Sequence, residues 1–240
     1  MPNSKGLMQV GLQLFSYCTV AALLGGAGCG ATTQRVRMDS MNRVIGNLSG
    51  FEGDPLEKEP VEYMQTGKGN YDQFFSSAAE MHAGIVVSTA LSDSLTTNLK
   101  KYARSYAASK AADENVKAIV GDTKPEDLTE DQSFALLNLK KKQGELSDDE
   151  KKFATRSVAN TAQTTLYLGK TGDQAATLIS TGSALSQSVR TDFTGMDAVK
   201  VPAVTKGLSG SLDNVKEASV KAPPLAKTLS RLGEGLKNLL

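Results

Sequence analysis

A long stretch without proline carries apolar residues at steps of three and four, and it limits the fold more than any other feature. The stretch begins at Asn70, which with Gln73 has the pattern of a helix start, and ends before Pro125. Its spaced positions are Phe74, Ala78, Met81, Ile85, Leu91, Leu95, Leu99, Tyr102 and Tyr106. This spacing follows one face of an α-helix and predicts a single helix of about 45 residues, far longer than the average. Such a helix needs long neighbours, so we expect an all-α, elongated helical bundle with coiled-coil-like packing.

Two later segments begin with the same local signal, a capping box. Thr129 is followed three residues later by Gln132, and Ser147 is followed by Glu150. In each pair the hydroxyl accepts a free backbone N–H at the helix start, and the second side chain reaches back. Lysines and Gly144 close the first segment, since cations suit a helix C-terminus and glycine suits the position after it. The predicted helical hairpin consists of residues 129–143 and 148–170.

The rest of the chain predicts three further helices. One helix restarts after Gly172, because the sequence "GKTG" places a helix end and a helix start back to back. The stretch "TDFTGMDAVKVP" is a break, and the next helix runs from Val201 until the prolines of "APP" stop it. The last segment carries the cleanest apolar stripe, formed by Leu225, Leu229, Leu232, Leu236 and Leu239. We expect this stripe to be buried, either within the bundle or in a homo-oligomer.

Composition narrows the chemistry that is open to these helices. Aromatic residues make up 5% of the chain and tryptophan is absent, so we expect an aliphatic core. The net charge is +1, without the basic excess typical of nucleic-acid binders, and we expect no nucleic-acid partner. Both cysteines, Cys18 and Cys29, precede residue 30. The rest of the chain therefore has neither a disulfide nor a cysteine-based zinc site.

No motif in the sequence predicts catalysis. The "GKT" at 169–171 lacks the glycine that a phosphate-binding loop places five residues earlier, where Thr164 stands. His82 is the single histidine, and we expect it to lie on a helix surface or in the packing. The acidic runs "DTKPEDLTED" and "SDDE" lack the order of a calcium loop and are explained as helix caps. We therefore predict no enzyme, no metal site and no cofactor.

The first 28 residues have the order of a secretory signal peptide. One lysine precedes the apolar stretch "LMQVGLQLFSYCTVAALL", and small residues follow it. The tail "GAGC", which ends at Cys29, resembles the lipobox of bacterial lipoproteins, in which small residues precede an obligatory cysteine. Cys18 follows the bulky Tyr17 and does not fit that pattern. The alternative is an ordinary signal peptide that the other signal peptidase cuts nearby.

The resemblance implies a lipid anchor. It implies that signal peptidase II cuts between Gly28 and Cys29, and that Cys29 carries a diacylglycerol and an amide-linked acyl chain such as palmitate. Gly30 after the cysteine permits export to the outer membrane under the sorting rule of enteric bacteria. The mature protein would then be held in the cell envelope by membrane lipid, facing the periplasm or the exterior.

The predicted organisation has three parts. Residues 1–28 form the signal peptide, 29–69 a lipid-anchored tether ("GATTQ") and irregular arm with a short helix, and 70–240 the helical bundle. For this organisation we expect a non-catalytic structural, adaptor or interaction role with a protein partner in the envelope. The alternatives are a carrier that holds a hydrophobic ligand between helices and, third, an envelope enzyme.

Overall fold

The computed structural model describes residues 31–51 and 53–240, and in this part the chain is an all-α helical bundle with one small sheet. The α-helices are α1 Met38–Val44, α2 Pro55–Lys58, α3 Gly69–Ser109, α4 Glu114–Val120, α5 Glu130–Lys142, α6 Asp148–Asp192 and α7 Val201–Lys237. Strand β1 is Thr32–Arg35 and strand β2 is Glu62–Gln65. Two short 3₁₀ segments, Pro125–Asp127 and Gly195–Lys200, join neighbouring helices.

Three long helices form the body of the bundle. Helix α3 has 41 residues and α6 has 45, so the long-helix prediction is confirmed. At 1.5 Å per residue these helices are about 62 and 68 Å long. Helix α6 packs along α7, and both lie against α3. Helix α5 packs mainly against α3, so the predicted hairpin partner is the wrong one.

The predicted caps at the start and end of α5 and at the start of α6 are confirmed. Both capping boxes, at Thr129 and Ser147, form their two reciprocal hydrogen bonds. After α5, Gly144 adopts a positive φ of 71°. Its N–H donates to Lys141 O, and the N–H of Glu145 donates to Lys140 O, which is a Schellman motif.

Two predicted helix ends are absent. The Gly169–Gly172 region lies inside α6, where the neighbouring Leu168, Thr171 and Ala175 are buried. Packing on α7 and α3 outweighs the cost of about 1 kcal/mol for each glycine in a helix. Helix α7 likewise continues through Pro223 and Pro224, which it holds on its exposed side while Ala222 stays buried.

The C-terminal stripe is covered by the chain's own helices. Leu229 and Leu232 are 0% exposed and Leu236 is 1% exposed. Leu239 is also buried, and Leu225 is half-buried. The predicted burial is therefore achieved within one chain. A homo-oligomer stays a prediction, and this stripe is not a free face for it.

The segment before α3 is more regular than expected. The predicted short helix exists as α1, but β1 and β2 also pair antiparallel, with Thr32 opposite Gln65. Most of the "GATTQ" sequence therefore belongs to a strand rather than to a loose tether. Helix α3 begins at Gly69, one residue before the predicted Asn70, and its N-cap is Lys68, which forms no side-chain cap.

Candidate functional site

The predicted lipidation site, Cys29, and its cleavage partner, Gly28, lie outside the described residues. Covalent geometry still limits the distance between Cys29 and the first described strand. Three peptide units separate Cys29 from Thr32, so their Cα atoms are at most about 11 Å apart. Thr32 is the first residue of the paired strand β1, so this limit also applies to the distance from the Cα of Cys29 to the start of the sheet.

Hydrogen bonds fix this start of the sheet to the first turn of α3. Asp72 accepts the backbone N–H of Thr66 at 2.5 Å and the Thr66 hydroxyl at 2.8 Å. The other oxygen of the same carboxylate accepts the N–H of Gly67 at 3.0 Å. Thr66 directly follows Gln65, which pairs with Thr32, so the carboxylate of Asp72 holds the end of β2 that lies opposite the start of β1.

The same end of the bundle holds a buried tyrosine with its polar partners. The Tyr71 hydroxyl donates to Asp192 Oδ2 at 2.8 Å, and the Ser188 hydroxyl donates to the same oxygen at 2.7 Å. These hydrogen bonds, from Ser188 first and Tyr71 second, lower the pKa of Asp192. Burial raises the pKa of Tyr71, which is fully enclosed. The ring of Phe193 packs edge-on against Tyr71, with centroids 5.0 Å apart, so the end of α6 is fixed to α3.

The connection from α6 to α7 completes this end. The Lys200 ammonium donates to Thr66 O at 3.3 Å and pairs with Asp197 at 2.9 Å. That ion pair, formed through a hydrogen bond, lowers the pKa of Asp197. Met196 and Val199 in the same segment are 95% and 81% exposed. We call Gly195–Lys200 the tip segment.

Small residues on the long helices permit close helix approach. A Cβ on Gly182 would lie 2.6 Å from Phe74 Cζ and 2.7 Å from Leu212 Cδ2. A Cβ on Gly233 would lie 2.5 Å from the Thr161 hydroxyl oxygen. Glycine at these positions lets α6 approach both α3 and α7.

Two half-open grooves lie on the bundle surface. The first, of about 350 Å³, runs beside α3 and is lined by Phe51, Pro55, Asp93, Asn98 and Lys101 among others. The second, of about 310 Å³, lies between α3 and α6 and includes Glu80, Met81, Tyr167 and Leu178. Burial raises the pKa of Tyr167, and the charge of Glu80 adds to the effect. The phenol is therefore a neutral side chain at ordinary pH.

The remaining sequence candidates lie apart from the tip segment. His82 is in the middle of α3, where burial lowers its pKa and favours the neutral imidazole. In the "GKT" sequence Thr171 is fully buried and its hydroxyl donates to Tyr167 O inside α6. Among residues 31–51 and 53–240, no three His, Cys, Asp or Glu side chains group as metal ligands. In the same ranges no helix is long and apolar enough to cross a membrane.

The sequence did not predict the tip segment as a candidate site, with its exposed apolar side chains and its contact to Thr66. The contact between Lys200 and Thr66 joins residues 134 positions apart, and no local pattern predicts it. The exposed Met196 and Val199 stood in a stretch interpreted as a break. No protein-family model, no curated protein and no solved structure matches this chain.

Proposed function

We propose that this protein is an envelope lipoprotein, held to the membrane by Cys29, whose helical bundle has a non-catalytic structural or adaptor role. The observation that carries the proposal is the "GAGC" sequence, placed after an apolar stretch and three residues before the first strand. Small residues directly before a cysteine admit the lipoprotein signal peptidase.

Multiple acyl chains would suffice for stable anchoring. Each buried CH₂ contributes about 0.8 kcal/mol, and one chain alone holds a protein only reversibly. A diacylglycerol on the sulfur together with an amide-linked chain brings three chains to one residue. The outer membrane, with the bundle facing the periplasm or the exterior, is the location that Gly30 favours.

The use of the carboxylates in the fold supports a non-catalytic role. Asp54 and Asp113 accept backbone N–H groups at helix starts, and Asp72 accepts those before α3. Glu150 combines a capping box with an ion pair to Lys140 at 2.7 Å. These four carboxylates hold backbone N–H groups at helix ends, and the role we propose needs only a rigid bundle.

Fractionation of two cysteine variants tests the anchor. The full chain should sediment with membranes, resist high salt and dissolve in detergent. Its mature form should lack residues 1–28 and carry added lipid mass by mass spectrometry. Cys29→Ser should lose the lipid and either remain as precursor or become soluble in the periplasm.

Cys18→Ser is the matched control, because Cys18 stands within the leader behind the bulky Tyr17. It should be processed and anchored like the wild type. If Cys29→Ser is also processed and anchored like the wild type, the proposal is wrong. A separate experiment tests the adaptor role. Mild crosslinking of the membrane-bound wild-type protein, followed by purification, should recover an envelope protein as its partner.

A further inference from the structure

The tip segment presents two apolar side chains to solvent on one side. Met196 and Val199 are the two most exposed large apolar residues among the described residues, at 95% and 81%. They are three residues apart in a 3₁₀ segment, where positions i and i+3 lie above one another. Their side chains therefore form one small apolar patch, which we call the apolar point, instead of two separate surface residues.

This apolar point lies at the end of the bundle that holds the start of β1. Lys200, which ends the tip segment, contacts Thr66 O at 3.3 Å. Thr66 follows Gln65, and Gln65 pairs with Thr32 at the start of β1. Thr32 in turn is three residues from Cys29. One lysine side chain, one peptide and one strand pair thus separate the tip segment from the strand that carries the proposed anchor.

The charges around the tip suit an acidic surface. Arg190 on the last turn of α6 and Lys206 on the second turn of α7 are both exposed. Of the neighbouring carboxylates, Asp197 is paired with Lys200, while Asp192 accepts hydrogen bonds from Tyr71 and Ser188 and keeps its negative charge, so the two exposed cations exceed it by one. Exposed cations on the helix turns that flank the tip segment complement a layer of anionic phospholipid headgroups.

We propose that the tip segment is a membrane-contact element, in which Met196 and Val199 enter the headgroup region of the same membrane that holds Cys29. This proposal rests on the proposed lipid anchor. Apolar side chains of surface-lying segments enter this boundary to a depth of about 5–10 Å. The anchor supplies attachment, and the tip segment fixes which end of the bundle faces the lipid.

The absence of tryptophan from the chain gives a direct test. Met196→Trp in the full, lipidated protein introduces a single tryptophan at the tip. Leu166→Trp is the matched control, because Leu166 is 69% exposed on α6 but 26 positions before the helix end at Asp192, about 39 Å along the axis. Each variant is reconstituted into phosphatidylcholine and phosphatidylglycerol vesicles, with and without bromine on the acyl chains.

Bromine quenches tryptophan only at close range. Emission from Met196→Trp should fall several-fold in the brominated vesicles and shift to shorter wavelength, while emission from Leu166→Trp should not change. Far-UV circular dichroism should give the wild-type helix content for both variants, since both sites are exposed. Val199→Trp should behave like Met196→Trp.

Three outcomes would overturn the inference. Unquenched Met196→Trp in protein that carries lipid mass would show that the tip does not touch lipid, and the lipid anchor would stand. Equal quenching at both positions would show that the bundle lies along the membrane instead of meeting it at the tip. Protein that lacks lipid mass and does not bind vesicles would refute the anchor itself, and the tip proposal would fall with it; mass spectrometry separates this case from the others.

Discussion

Replacing Gly84 by alanine tests the close approach between α3 and α6. Gly84 is a buried residue of α3, and the ring of Tyr167 on α6 lies directly over it. A Cβ at this position would be 2.5 Å from Tyr167 Cε1 and closer still to Cζ and the hydroxyl. Glycine is therefore kept inside a long helix because a side chain would collide with the neighbouring helix.

Two opposing effects set the expected change in the free energy of unfolding for Gly84→Ala. Alanine is favoured over glycine inside a helix by about 1 kcal/mol. Overpacking of a core costs about 1–3 kcal/mol, occasionally more. The Tyr167 ring is 7% exposed, so it cannot move away without losing burial, and we use the upper end of that range. The net loss in free energy of unfolding is then about 2 kcal/mol, which lowers Tm by about 4–8 °C for a domain of this size.

Thermal unfolding followed by far-UV circular dichroism measures this loss. Gly172→Ala is the matched control, since Gly172 lies in the middle of α6, is exposed and has no neighbour within 4 Å of an added Cβ. At that position only the preference of a helix for alanine over glycine acts, and we expect the free energy of unfolding to rise by about 0.5–1 kcal/mol. The two glycine-to-alanine changes should therefore move Tm in opposite directions.

A double variant separates the collision from other effects of the substitution. In a Tyr167→Ala background the added Cβ on residue 84 meets no ring, so Gly84→Ala should become neutral or stabilising. If Gly84→Ala alone raises Tm as Gly172→Ala does, the close approach of α6 to α3 is not as the structure has it, and the reasoning is refuted.

Three further predictions concern a core leucine, an ion pair and a proline inside α7. Leu232→Asp puts a charge into a fully buried seam and should lower the free energy of unfolding in urea by more than about 3 kcal/mol, whereas a change within about 0.5 kcal/mol would mean exposure. Burial raises the pKa of Glu150, but hydrogen bonds from Lys140 and Ser147 outweigh it and lower the pKa below 4.5. Glu150→Gln should therefore cost about 1–3 kcal/mol at neutral pH, and a pH series should show this difference vanish as pH falls through the lowered pKa. Pro224→Ala restores a backbone donor on the exposed side of α7 and should raise the free energy of unfolding by up to about 3 kcal/mol, which thermal unfolding would show as a higher Tm; a lower Tm would show that the prolines shape the helix.

The capping patterns at the ends of α5 and at the start of α6 were predictable because the residues that form each cap are close in sequence. Thr129 and Gln132 are three residues apart and close the same turn in any fold that contains the helix. The same holds for Gly144, whose positive φ ends α5. The candidate site at the tip was not predictable, because its exposure and its contact with Thr66 depend on how α3, α6 and α7 meet.

The sequence by itself determined the all-α class, the long helix α3, the capped starts of α5 and α6 and the apolar stripe of α7. Each of these follows from periodicity or from hydrogen bonds within one turn. Only the tertiary structure decided that α6 continues through Gly172 and α7 through Pro224, and that β1 pairs with β2. The physical reason is that keeping a glycine inside a helix costs about 1 kcal/mol and keeping a proline there about 3 kcal/mol, and burial of a long apolar face against neighbouring helices offsets that cost. Strand pairing likewise needs a partner about thirty residues away, which the packing of the arm on α3 brings into place.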